Sequence, residues 1–309
     1  MERPIQRLGD GTEEDLLLVL GAHMPSNDSL QTGPGDDCAV VRTGGCVQLL
    51  KVDAVVEGRH FLRETSLCLV GRKALARALS DIAAMGGHPG HALVTLACGP
   101  ERSLHDIEQI YEGIAELART WDTSIAGGET VALPENSPLL LSISMTGTMP
   151  GKNSKVAPLL RSGGSPGDLL CVSGHLGGSF ESGRHLTFAP RLREGQGLAR
   201  FGAAAMMDLS DGLGTDLPRL ARASGCGFIL HEDTLPCHPG IAPAAAAGEG
   251  EDYELLFAIS PDRLEALRRE WPTFAGELPF TQIGHLTESE VIVPDWFGQG
   301  WDHFQNTSS

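Results

Sequence analysis

The chain has 309 residues, 41% of them apolar and 5% aromatic, with a formal net charge of −17. That length suits one large or two medium domains, each able to bury its own core. The acidic surface, with no cluster of Lys and Arg, excludes a nucleic-acid binder, and no apolar run reaches the length of a membrane span.

In chain order, MERPIQRLGDGTEEDLLLVL places acids inside its apolar stretch and lacks a signal-peptide pattern, which predicts a cytoplasmic protein. VQLLKVDAVVEG reads as a strand running into a loop. Residues 66–86 are rich in Ala and Leu and end at glycines, which predicts a helix. HALVTLACG is a short β-rich run. Ser103 and Asp106 have capping-box spacing and open a helix through Trp121. TSIAGGETVAL and LLLSISMTGTM follow as strands. The order strand, helix, strand, helix, strand, strand favours an α+β architecture over a doubly wound sheet.

The Pro-, Gly- and Ser-rich text of 150–168 predicts a domain boundary, dividing the chain into 1–150 and 151–309. Beyond it, LLCVSG reads as a strand and Ser179–Leu186 as a helix. MMDLSDGLGTDLPRLARASG reads as a loop opening a helix. GFILHED, DYELLFAIS and VIVPD read as strands and Pro261–Trp271 as a helix. The seven cysteines form no C-x-x-C pair, and their number is odd, so reduced thiols are expected. Cys237 and His238 near His231 fit no zinc-finger spacing.

The placement of the acids is the most informative feature. Phosphoryl transfer needs positioning and charge neutralisation more than covalent chemistry. A protein supplies these through a Lys-bearing glycine loop, or through carboxylates that hold magnesium. The sequence has no G-x-x-x-x-G-K-[ST], so the first route is absent.

Asp36 and Asp37 follow Gly33-Pro34-Gly35, where adjacent acids either reach separate ions or decorate an exposed turn. Asp53 ends the apolar run LLKVD, at a site lip or in water. Asp81 lies beside the stripe Ala74, Ala78, Ile82 and Met85, where a charge is costly unless paired or metal-bound; the alternative is a solvated helix edge with an Arg77 ion pair. Glu129 follows two glycines that permit close approach of a ligand. Asp208, Ser210 and Asp211 stand before a helix, as phosphate-site residues or as caps. Glu251 and Asp252 precede an apolar strand. Short acidic motifs beside glycine, in both halves, suit magnesium shared with substrate phosphates.

GDDCAVV, VDAVVEGRHF, KALARALSDIAAMGGHP, AGGET, LLRSGGSPGD, MDLSDGLGTDL and GEDYELLF together resemble the thiamine-monophosphate kinase family, from about residue 8 to about residue 304. The resemblance implies two α/β lobes, the N-terminal sheets pairing into a barrel-like core across a homodimer. It implies direct, Mg²⁺-dependent transfer of the ATP γ-phosphoryl group to thiamine monophosphate, giving thiamine diphosphate and ADP. Carried over by motif, Asp37, Asp53, Asp81, Glu129, Asp208 and Asp211 would ligate metal. Tyr111, Gly128, Glu129, Arg161 and Ser210 would contact ATP, and His60, Glu251 and Trp301 the thiamine phosphate.

Three departures from the pattern stand out. Lys51 and Val52 replace hydroxyl residues, GGET replaces GGDT, and Glu249 splits the glycines of GEGEDYE. An ammonium at Lys51 can take an ion's place near phosphate, which lowers the number of metals bound. Two other readings are a different ATP-dependent synthetase of the same superfamily and a non-catalytic binder of nucleotide or thiamine phosphates. The selenophosphate branch needs a reactive Cys or selenocysteine near the N-terminus, whereas the first Cys is Cys38. The hydrogenase-maturation branch needs a C-terminal Cys, whereas the chain ends NTSS.

Overall fold

The computed structural model describes residues 13–149, 156–298 and 300. The first lobe opens with α1 (Glu13–Gly21), β1 (Leu30–Thr32), β2 (Ala39–Thr43) and β3 (Cys46–Val56). Gly44 and Gly45, at φ 58° and 81°, make the two-residue turn between β2 and β3, a conformation that favours glycine at both positions. Then come α2 (Leu67–Ala84), β4 (His88–Cys98), α3 (Leu104–Thr120), β5 (Ser124–Ala132) and β6 (Leu140–Thr148). From β3 to β6 this is the predicted order. The Ser103–Asp106 capping box forms with both of its hydrogen bonds.

The sheet order is β1-β2-β3-β6-β4-β5. β4 and β5 run parallel, as a helical crossover requires, and the other pairs are antiparallel. Both β1 and β5 are free edges, so the expected barrel does not close within one chain. Helices α2 and α3 cross where side chains are missing. A Cβ on Gly71 would lie 1.9 Å from the Ile110 carbonyl oxygen, and one on Gly113 would lie 1.8 Å from that of Cys68.

The second lobe contains β7 (Leu169–Ser173), α4 (Arg184–Thr187), α5 (Leu192–Phe201), β8 (Ala205–Asp208), α6 (Leu213–Ala223), β9 (Gly227–Leu230), α7 (Pro243–Gly248), β10 (Leu255–Ile259), α8 (Leu264–Ala275), β11 (Phe280–Thr287) and β12 (Val291–Ile292). Its sheet has the order β12-β9-β11-β7-β10-β8. The helix expected over Ser179–Leu186 reduces to the single turn α4. The loop expected at MMD is instead strand β8, paired with β10.

Helix α2 joins the lobes. Ala74, Ala78 and Ile82 sit in the first core, with Leu49, Val94 and Ile143. Ala84 sits in a core of the second lobe, with Leu198, Phe257 and Trp271. A helix buried at both ends of its contact surface holds its remaining polar face in one place relative to both sheets. Among the described residues, no helix is long and apolar enough to cross a membrane.

Candidate active site

That polar face is Lys73, Arg77, Ser80 and Asp81, spaced i, i+4, i+7 and i+8, so the four side chains form one stripe. Each reaches a different segment. Lys73 donates to the His60 carbonyl oxygen (2.6 Å) and to the Glu251 carboxylate. Arg77 clasps Asp53 with Nε and Nη2 (3.0 and 3.1 Å) and approaches Glu251 with Nη1 (3.4 Å). The Ser80 hydroxyl donates to Asp208 (2.5 Å). Asp81 accepts from Lys51 Nζ (2.7 Å). The expected pairing of Asp81 with Arg77 is therefore replaced by Lys51. Arg77 turns to Asp53 because β3 presents Lys51 and Asp53 side by side to α2, at alternate positions of the strand.

At one end of the stripe, Asp37, Asp81 and Asp208 converge. All three are buried, and one carboxylate oxygen from each lies within 4.8 Å of the others. Asp37 Oδ1 accepts from Arg161 Nε (3.1 Å) and Nη2, while its Oδ2 is buried with no partner. Burial, with Asp37 adding, pushes the Asp208 carboxyl up to about 6. Burial also raises Asp81 well above the usual range, Lys51 opposing and Asp208, Asp53 and Asp37 adding. Crowded carboxylates with an orphaned buried oxygen are what a hard divalent cation relieves, so these residues fit magnesium.

The segment Glu251–Glu254 is held in unusual geometry. Glu251 and Tyr253 adopt φ of 68° and 52°, values that non-glycine residues rarely take. The Glu251 N–H donates to the Ser210 carbonyl oxygen (2.7 Å) and the Tyr253 N–H to that of Leu209 (2.8 Å). The Ser179 hydroxyl donates to the Glu251 carbonyl oxygen (2.7 Å). This lacing ties GEDYE to the Asp208–Asp211 loop and points Glu251 at Lys73. Strain kept by so many bonds marks a working segment. His60 Nδ1 accepts from the Val56 N–H (3.1 Å), which leaves the proton of a neutral ring on Nε2.

Of the predicted ligands, the structure unites Asp37, Asp81 and Asp208, while Asp53 is held by Arg77 beside them on β3 and α2. Asp211 is drawn elsewhere, to Arg219, which also reaches Asp216 (3.3 Å). Arg161 bridges toward this pair; burial works against its charge, but Asp37, Asp216 and Asp36 raise its pKa. Glu129 stands apart. Pairing through β6 and β4 aligns Asp53 with Ile143, Val94 and Gly128, but aligns Ala54 with Ser142, Thr95 and Glu129. Glu129 thus lies on the outer face of the sheet, opposite Asp53. Gly128 and Tyr111 are exposed as well. Trp301 lies outside the described residues.

Lys73 and Ser80 were not singled out from the sequence. Their signal was the 73/77/80/81 spacing of polar residues inside an otherwise apolar helix.

Residues 35–149 match the family described as AIR synthase related protein, N-terminal domain, and residues 165–296 match its C-terminal domain. The thiamine-monophosphate kinase of Rhodopirellula baltica is 35% identical over 295 residues, covering 89% of each chain. That of Bacillus subtilis is 33% identical and covers 91% of this chain and 94% of its own. The solved structure of AaThiL complexed with AMPPCP and TMP has a TM-score of 0.82 at 27% identity, over 97% of this chain and 100% of its own.

Proposed function

This chain belongs to the thiamine-monophosphate kinase family of AIR synthase related proteins, and on that premise we propose how its residues carry out the reaction. It is an ATP-dependent kinase that phosphorylates thiamine monophosphate to thiamine diphosphate, releasing ADP. The observation that carries the site reading is the convergence of Asp37, Asp81 and Asp208 with one buried carboxylate oxygen unpartnered.

Asp37, Asp81 and Asp208 would hold Mg²⁺. Bound there, the ion would neutralise phosphate charge and polarise the transferring group. Arg161 is fixed by Asp37 through Nε and Nη2, and among the described residues its Nη1 has no protein partner. A fixed guanidinium with a free N–H suits a nucleotide phosphate oxygen. Glu251, held by Lys73, and the His60 imidazole, held by the Val56 N–H, would receive the thiamine phosphate, and Ser210, next to Glu251, would contact ATP. Asp53 would act with the metal site through its neighbour Lys51.

The homodimer is part of this proposal. The outer face of the first sheet exposes Leu50, Val52, Leu93 and Val131, an apolar surface that a second copy would cover. Lying on the face opposite Asp53, Glu129 would ligate only an ion at the seam between the two copies, where Gly128 and Tyr111 would border ATP. Residues 1–150 would then supply metal binding and dimerisation, and 151–309 would complete the site. Seven free cysteines suit a reducing, cytoplasmic setting.

The test is to incubate the purified chain with ATP, Mg²⁺ and thiamine monophosphate, with free thiamine in parallel. Thiamine diphosphate and ADP should form in equal amounts from the monophosphate alone, and EDTA should stop both. Binding of both substrates without turnover would instead identify a non-catalytic binder.

A further inference from the structure

We propose that the Lys51 ammonium is a built-in cation of the carboxylate cluster, standing on Asp81 where a further divalent ion would otherwise bind, so that each chain loads a single divalent ion without nucleotide. This rests on the carboxylate cluster being the metal site of the kinase.

Two of the three clustered aspartates already have a cation each. Asp37 has Arg161 and Asp81 has Lys51, while Asp53, outside the cluster, is held by Arg77. Asp208 has only the Ser80 hydroxyl as a hydrogen-bonding partner among the described residues. Counted as ionised, the three carboxylates against these two fixed cations leave one negative charge. One divalent ion shared by Asp37, Asp81 and Asp208 turns that into one positive charge, which suits an arriving polyphosphate. A second ion on the same acids would leave a large uncompensated positive charge in a low-dielectric site, which is costly before nucleotide arrives.

Position makes Lys51 a resident of the cluster. Its strand neighbours across the sheet point to the same side: Lys51 pairs with Met145 and Asp53 with Ile143, both buried beneath α2. Its Nζ is 2.7 Å from Asp81 Oδ1, the distance of a full charge-assisted hydrogen bond. A lysine suits this place because its ammonium is a compact point charge, closer to a metal ion than a planar guanidinium is.

The test counts bound Mn²⁺ on the full chain without either substrate, from the loss of the free Mn²⁺ paramagnetic resonance signal. The natural chain should bind one ion per chain. Lys51→Ser removes the ammonium and most of its volume and should bind two. Lys51→Thr, better suited to a strand, makes the same comparison should the Ser chain not fold. Two or more ions on the natural chain overturn the proposal, as does an equal count in a folded variant and the natural chain. The count involves no turnover, so a wrong count leaves the product-formation test of the kinase untouched, and absence of product leaves the count readable.

Discussion

Asp208→Asn is expected to lower thiamine diphosphate formation about a thousandfold, roughly 4 kcal/mol of transition-state stabilisation, while raising the melting temperature of the metal-free chain. Asn keeps the volume of Asp208 and can accept the Ser80 hydrogen bond. What it removes is a charge that folding must bury beside Asp37. That burial raises the carboxyl from 3.8 to about 6. A folded value above the unfolded one means the folded chain holds its proton longer. Stability from this group is therefore lost as pH rises from 3.8 to about 6 and stays lost above, at a cost of about 3 kcal/mol. The Asn variant escapes that loss, so its advantage should grow across the same window and level off above it. Thermal melts in EDTA at several pH values, beside product assays in Mg²⁺, read both effects. An Asn variant that is both active and no more stable would remove Asp208 from the metal site.

Lys73→Met is expected to cost about 1–3 kcal/mol of stability, the usual result of leaving a buried acceptor without its donor. Lys73 is fully buried and is the main cation for Glu251; Arg77 is more distant, at 3.4 Å. Burial lowers the Lys73 amine to about 8, with Glu251 opposing. Met fills the volume but leaves the His60 carbonyl oxygen without its Lys73 donor and Glu251 with only the more distant Arg77. Because Glu251 sits at φ 68°, a conformation kept by its surroundings, its carboxylate should also lose its position. Urea denaturation should show a lower midpoint, and the KM for thiamine monophosphate should rise more than that for ATP. An unchanged midpoint would mean that Lys73 is not what anchors the segment.

Legibility in the sequence followed the range of the interaction. Helix α2 was readable from its small and apolar residues, and Asp81 from its place beside their stripe. Its partner was not, because the local candidate Arg77 competes with Lys51, thirty residues away on β3. Asp208 and Asp211 look alike within MDLSDG, yet one ends β8 beside α2 and the other turns to Arg219. Glu129 shows the same limit: its side of the sheet depends on register carried across β6 and β4, which no local pattern records.

Close packing also overrides local cost. Helix α5, over a segment that carried no reading in the sequence, holds Gly195 and Gly197, which weaken a helix by propensity. A Cβ on Gly195 would lie 2.0 Å from the Ala83 carbonyl oxygen, so close packing on α2 demands the glycine. The hairpin of β2 and β3 was also missed, although Gly44-Gly45 between two apolar runs is a turn signal in its own right.

The position of the ion decides the account most directly. Crystals of the chain soaked in Mn²⁺ with a non-hydrolysable ATP analogue should give an anomalous scattering peak about 2.1 Å from carboxylate oxygens of Asp37, Asp81 and Asp208 together. A peak held by other acids, with those three carboxylates bare, would contradict it.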